Sequence, residues 1–155
     1  MGIEIERKFL VIGEAWKQGD GEFISQGYLN RDPARTVRVR VKGQQAWLTI
    51  KGLSSGASRA EFEYPIPLLD AHQLLALCEG PRVEKIRRLV PFAGMNWEVD
   101  EFLGDNTGLV VAELELDTAE QFFETPPWLG REVTDDPRYF NSQLACRPYQ
   151  SWPTT

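Results

Sequence analysis

Hydrophobic and polar positions alternate along most of this chain. From Ile3 to Val11, Ile3 and Ile5 fall on one face and Glu4, Glu6 and Lys8 on the other, a period of two that predicts a strand. Glu22–Leu29 reads as a second strand, closed by a turn at Asn30-Arg31-Asp32-Pro33. Thr36–Val41 alternates without a break, Lys42-Gly43-Gln44 turns the chain, and Ala46–Lys51 follows, so these two runs are expected to pair as a hairpin. After a Gly/Ser loop, Arg59–Tyr64 forms a fifth run bounded by Pro65 and Pro67. Three more are expected at Arg82–Val90, Asn96–Leu103 and Leu109–Leu116, with turns at Pro91–Gly94 and Gly104–Gly108.

The period changes at Asp70–Cys78, where Ala71, Leu74, Leu75 and Cys78 have helical spacing, with Asp70 as N-cap and Gly80-Pro81 as the stop. A short helix is expected near Thr118. Another is expected from Pro137 to about Ala145, capped by Asp135 or Asp136 with Pro137 in its first turn. The reading is mainly β (α+β), one domain over residues 1–155: an eight-stranded antiparallel barrel with a few flanking helices.

The polar faces of the strands are sorted by sign. They carry Glu4, Glu6 and Lys8; then Arg38 and Arg40; Lys51; Glu61 and Glu63; Lys85 and Arg87; Glu98 and Asp100; and Glu113 and Glu115. A solvated sheet face explains any one pair. The set as a whole resists that explanation. Two like charges two residues apart on a strand sit roughly 7 Å from each other. At an effective dielectric near 20 they repel by about 2 kcal/mol. Closing the sheet turns this face inward, into a bore able to hold one small ligand. Ile3, Ile5, Val37, Val39, Val41, Leu48, Ile50, Phe62, Tyr64, Val99, Leu114 and Leu116 then face outward, where helices cover part of them and self-association as a homodimer is a candidate for the rest.

Such a bore suits a polyanion with cations. Arg38, Arg40, Lys51, Lys85, Arg87 and Lys8 match an extended phosphate chain, since guanidinium forks bind phosphate oxygens bidentately. The carboxylates offer hard oxygen ligands to Mg²⁺ or Mn²⁺. Together they describe metal-assisted phosphoryl transfer.

The segment Glu4-Ile5-Glu6-Arg7-Lys8 resembles the E-x-E-x-K signature of the CYTH, or triphosphate tunnel metalloenzyme, superfamily. The likeness continues through Thr36-Val-Arg-Val-Arg40, Leu48-Thr-Ile-Lys51, Glu61-Phe-Glu63, Lys85-Ile-Arg87, Glu98-Val-Asp100 and Glu113-Leu-Glu115, and the tail Trp128–Tyr139 looks like that of the short bacterial branch. The resemblance implies an eight-stranded tunnel that binds a triphosphate and two divalent ions, with tripolyphosphatase activity in the short bacterial members. It implies that Glu4, Glu6, Glu113 and Glu115 hold the first metal, that Glu61, Glu63 and Asp100 help place a second, and that Lys8, Arg38, Arg40, Lys51, Lys85 and Arg87 clamp phosphates. Glu4, Glu6, Lys8 and Arg40 are the residues expected to be catalytic. Glu98 reads equally as a rim residue, and Tyr28 as a bore residue or a packing residue. Trp47 shares a face with Lys51 and is a candidate to border the bore, whereas packing explains Trp16, Trp97, Trp128 and Trp152.

Composition narrows the field. A net charge of −6 disfavours nucleic acid as a partner, and no apolar run approaches the roughly 20 residues of a membrane span. The charged N-terminal stretch does not read as a signal peptide, and Cys78 and Cys146 read as reduced, buried thiols, so a cytoplasmic location is expected. His72 reads as a helix-surface residue. The alternatives are a class IV-type adenylate cyclase, a thiamine or nucleoside triphosphatase, and a non-catalytic polyphosphate or nucleotide binder. A lipocalin-like carrier needs an apolar bore, which this pattern denies.

Overall fold

The computed structural model describes residues 2–153. Its strands are β1 (Gly2–Val11), β2 (Glu22–Asn30), β3 (Arg35–Lys42), β4 (Gln45–Gly52), β5 (Ser58–Pro65), β6 (Glu79–Phe92), β7 (Met95–Phe102), β8 (Val110–Glu115) and β9 (Leu129–Glu132); α1 spans Leu68–Leu77 and α2 Asn141–Leu144. Around the barrel the order is β1-β5-β4-β3-β2-β6-β7-β8 and back to β1, antiparallel throughout. Strand β1 is the seam. On one edge, Gly2–Ile5 pair with β5 and Phe9–Val11 with the extra strand β9; on the other, Glu6–Leu10 pair with β8. Between β5 and β9 the edge is satisfied piecemeal: Glu6 N donates to Ala57 O at 3.0 Å and Lys8 N to Thr134 Oγ1 at 3.0 Å.

Turn chemistry fixes the registers. At the β6–β7 hairpin Phe92 faces Met95, and the two loop residues Ala93 and Gly94 both have positive φ (51° and 81°). That is the two-residue geometry that follows strand twist. Pro91, expected in this turn, therefore lies within β6 opposite Asn96. Gly80-Pro81 likewise begins β6 instead of separating helix from strand.

The apolar outer face is covered in two places. Helix α1 lays Ala71 and Leu75 over Val39 and Ala46. Its N-cap is Pro67, so Asp70 stands in the first turn instead of capping it, where its charge still meets the positive end of the helix. On the opposite side Trp97, fully buried, meets Phe9, Phe123 and Trp128 edge-to-face at 5.7, 5.6 and 5.6 Å. Such contacts add about 0.5–1.5 kcal/mol each beyond the area they bury. Phe123 and Trp128 explain why no helix forms near Thr118. The segment runs flat across the barrel to seat both rings on Trp97, and Pro126-Pro127 blocks helical continuation. Ile3, Phe62 and Tyr64, on β1 and β5, stay exposed.

The C-terminal segment closes one end of the bore. The single helix expected from Pro137 to Ala145 is two pieces, a 3₁₀ turn at Pro137–Tyr139 and α2, separated by extended Phe140. Asp136 caps the first, accepting from Arg138 N at 3.1 Å. Tyr139, Leu144 and Ala145 pack inside with Tyr28, Val83, Phe102 and Val111. The bore is thus dry at one end and polar over the rest. Cys146 is exposed and Cys78 half-buried, because Cys146 follows the plug outward, so the expectation of two buried thiols fails. His72 is exposed on α1, and no helix is long and apolar enough to cross a membrane among the described residues.

Candidate active site inside the barrel

Strand alternation sends one side-chain parity inward. Glu4, Glu6 and Lys8 of β1, Arg38 and Arg40 of β3, Lys51 of β4, Glu61 and Glu63 of β5, Lys85 and Arg87 of β6, Glu98 of β7, Glu113 and Glu115 of β8, and Tyr28 of β2 all line one cavity of about 230 Å³. The strand order then divides its wall. The arc β4-β3-β2-β6 carries the cations Lys51, Arg38, Arg40, Lys85 and Arg87; the arc β7-β8-β1-β5 carries the acids, with Lys8 and Arg59 set among them.

At the seams between arcs, opposite charges meet in register: Lys51 faces Glu61, and Arg87 faces Asp100. Within the acidic arc two register pairs set like against like, Glu6 opposite Glu115 and Glu98 opposite Glu113, while Lys8 also faces Glu113 and Arg59 faces Glu4. Directly opposed like charges destabilise a sheet. Oxygens of Glu4, Glu6 and Glu115 all lie within 4.8 Å of one another, as do those of Glu6, Glu98 and Glu113. Burial, then the neighbouring Glu6, Glu4, Glu61 and Glu98, pushes the Glu115 carboxyl up to about 7. Burial and Glu113 raise that of Glu6, and burial raises that of Glu98. Lys8, 3.5 Å from Glu6, and Arg87, 3.2 Å from Glu98, offset this repulsion only in part, and a set of hard oxygens crowded in this way fits a divalent cation.

The basic arc has the reverse deficit. Arg40 is half-buried with no carboxylate partner among the described residues; its Nε donates to Gln26 Oε1 at 2.8 Å. Burial, then Arg38 and Arg87, pulls its pKa down to about 9. A guanidinium stays charged in proteins, so this reads as a cation awaiting an anion. Arg38 donates through Nη2 to Thr49 at 3.1 Å and Glu63 at 3.4 Å, but its buried Nε has no partner.

The remaining charges pair off. Lys8 Nζ sits 3.0 Å from Glu113 and 3.5 Å from Glu6, and Lys51 Nζ contacts both Glu4 oxygens at 3.0 Å. Asp100, expected beside a second metal, stands behind the cavity wall. Its Oδ1 takes Arg87 Nε at 2.7 Å, and its Oδ2 takes Arg87 Nη2 at 2.9 Å and Lys85 Nζ at 2.7 Å. Despite burial, which alone would raise it, Arg87 and Lys85 hold its carboxyl well below the ordinary range. Glu98, which reads equally as a rim residue, is in the wall.

Residues 2–143 match the CYTH domain family. The chain belongs to the CYTH family. Among its CYTH relatives, the inorganic triphosphatase of Acetivibrio thermocellus is 51% identical over 154 residues, covering 98% of this chain and 99% of the relative. That of Nitrosomonas europaea is 39% identical over 151 residues, covering 92% and 96%. The solved structure of the inorganic triphosphatase NE1496 is 35% identical with a TM-score of 0.65, covering 97% of this chain and 99% of that one. The PH1012 protein of Pyrococcus horikoshii, at 20% identity and a TM-score of 0.55 over 76% of this chain, shares the fold.

Several CYTH cavity residues escaped the sequence reading. Thr36 and Arg59 share parity with Arg38 and Glu61, so alternation alone points to them. Phe140, Asn141 and Ser142 arrive with the plug, which no periodicity marks. Tyr28 satisfies both of its readings, lining the cavity while packing in the apolar end. Trp47 does not line the cavity; it lies near Lys42, whose Nζ is 5.7 Å from its ring.

Proposed function

We propose that this CYTH protein is a divalent-metal-dependent triphosphatase that hydrolyses inorganic tripolyphosphate to pyrophosphate and phosphate. The observation that carries the reading is the divided wall: a cationic arc with uncompensated Arg40 faces an acidic arc with opposed carboxylates. The ligand that neutralises both is a polyphosphate bearing divalent cations. The two inorganic triphosphatase relatives support the same activity.

In this reading Glu4, Glu6, Glu113 and Glu115 hold one ion, Mg²⁺ or Mn²⁺. Glu61 and Glu63 are assigned to help hold a second, to which Glu98, clustered with Glu6 and Glu113, is added; Asp100 instead holds Arg87 and Lys85 in place. Bound ions supply Lewis acidity toward phosphate oxygens and toward the attacking water. Arg38, Arg40, Lys51, Lys85, Arg87 and Lys8 fix the chain and spread the charge that develops on it. Water oxygen bonds to a terminal phosphorus as the bond to the bridging oxygen breaks, and pyrophosphate leaves.

Cavity size favours a compact substrate. At about 230 Å³ the cavity falls below the roughly 300–1,000 Å³ of sites for drug-sized ligands. A cyclase needs a seat for adenine and ribose, and Trp47 does not offer one. The test is phosphate release from tripolyphosphate, ATP and thiamine triphosphate with Mg²⁺, Mn²⁺ or EDTA. Turnover of tripolyphosphate above the others, abolished by EDTA, is expected. Tight triphosphate binding without turnover overturns the reading in favour of a binder, and release of cyclic AMP from ATP in favour of a cyclase.

A further inference from the structure

The plug does more than fill the end of the bore. We propose that Asn141, presented by its second half, is a positioning residue that aims Lys85 directly, and Arg40 through Gln26, at the phosphate chain; the inference rests on the triphosphatase reading above.

Asn141 Oδ1 accepts from Lys85 Nζ at 2.9 Å and from Gln26 Nε2 at 3.0 Å. Gln26 Oε1 in turn accepts from Arg40 Nε at 2.8 Å. The direction of every bond is forced. Lysine and arginine only donate, so each amide must turn its oxygen toward the cation beside it. Gln26 is fully buried between them. The line reads Arg40 to Gln26 to Asn141, met from the other side by Lys85.

This arrangement leaves particular donors free. Asp100 and Asn141 take two of the three ammonium protons of Lys85, which also lines the cavity. Gln26 takes the Nε–H of Arg40, leaving its two terminal nitrogens for the ligand. Without Asn141, Lys85 has only Asp100 to turn toward, and Gln26 loses the partner that orients it. Asn141 reaches this position because Leu144, one turn on, is buried among Tyr28, Phe102 and Tyr139. Docking of the plug and aiming of two cations are one event. A plug that served only as a stopper would, on removal, widen the range of substrates; a plug that aims cations costs tripolyphosphate itself.

The test compares wild type, Asn141→Ala, Arg40→Lys and the double variant, reading kcat and KM for tripolyphosphate with Mg²⁺ and Kd for pyrophosphate by calorimetry. Loss of an oriented, charge-assisted contact is expected to raise KM and Kd about ten-fold in Asn141→Ala with a smaller change in kcat. Residues in one hydrogen-bonded network are not additive, so the double variant is expected to fall short of the product of the two single losses by about three-fold or more. A merely structural residue would lower the folded fraction and leave the two losses multiplicative. If Asn141→Ala does not fold, Asn141→Ser, polar but one bond too short to hold both donors where Oδ1 does, carries the cycle. Wild type that turns over tripolyphosphate while KM and Kd stay within two-fold in the variant, or losses that multiply, overturn this inference alone. Wild type that neither binds nor hydrolyses tripolyphosphate overturns the function reading, and this inference with it.

Discussion

Glu6 and Glu115 stand directly opposite each other on β1 and β8, carboxylate against carboxylate, with Glu4 oxygens within 4.8 Å of both. The fold tolerates a local cost at the place where the proposed reading puts a cation. Glu6→Gln is therefore expected to be more stable than wild type in EDTA, by about 1 kcal/mol, because a directly opposed like pair is relieved. Turnover should nonetheless fall by two orders of magnitude or more. Thermal unfolding and phosphate release, each with and without Mg²⁺, check both halves.

Metal alone should stabilise the protein. An ion that binds only the folded state at a hundred times its Kd adds about 2.7 kcal/mol. Melting with Mn²⁺ or Mg²⁺ titrated in, substrate absent, is expected to show a rising Tm in wild type and a flat one in Glu6→Gln.

Arg40 and Asp100 are expected to separate affinity from stability. Arg40 has no carboxylate partner among the described residues, so Arg40→Ala should raise KM for tripolyphosphate about 10–100-fold, the worth of a hydrogen bond to a charged group, while the urea midpoint falls only by the roughly 1 kcal/mol of an unpaired Gln26 carbonyl. Asp100→Asn takes the carboxylate from buried Lys85, while half-buried Arg87 keeps Glu98 and Glu113 at 3.2 and 3.3 Å, and should cost about 3–5 kcal/mol in the same unfolding experiment.

The pH test lies outside the cavity. Arg7 binds Glu132 through Nε at 2.8 Å and Nη2 at 2.6 Å, tying β1 to β9. The Arg7 hydrogen bond holds the Glu132 carboxyl below its ordinary value. The stabilisation is thus fully present above the ordinary glutamate pKa and is lost as pH falls through the lower, folded value. Because the pair is partly exposed and screened, it is worth about 0.5 kcal/mol. The Tm gap between wild type and Glu132→Gln in EDTA is expected to be small at pH 7 and to close toward pH 3.5.

The strands were legible because period two survives any tertiary context. Glu4, Glu6 and Lys8, or Arg38 and Arg40, face inward once the sheet closes, and their parity says so in advance. The division of the wall into a basic and an acidic arc was not legible. It depends on β2 sitting between β3 and β6, and on β1 joining β5 to β8, pairings that no local pattern encodes. Asp100 shows the same limit at one residue: its parity marks it as inward, but only packing puts Arg87 and Lys85 between it and the cavity. Asn141 and β9 were missed because each is held by tertiary docking, and neither short segment has a period to read.

The seam at β1 also governs when the site can exist during folding. Lys8 meets Glu113 at a sequence separation of 105, and its backbone meets Thr134 at a separation of 126. Pairings that distant are slow to form, since the loop must be closed before any contact compensates for it. The hairpins from β2 to β5 and from β6 to β8 can assemble locally, and each carries only part of the acidic set. The carboxylates converge when the seam closes, so on the proposed reading tight capture of a divalent ion would report the final step of assembly.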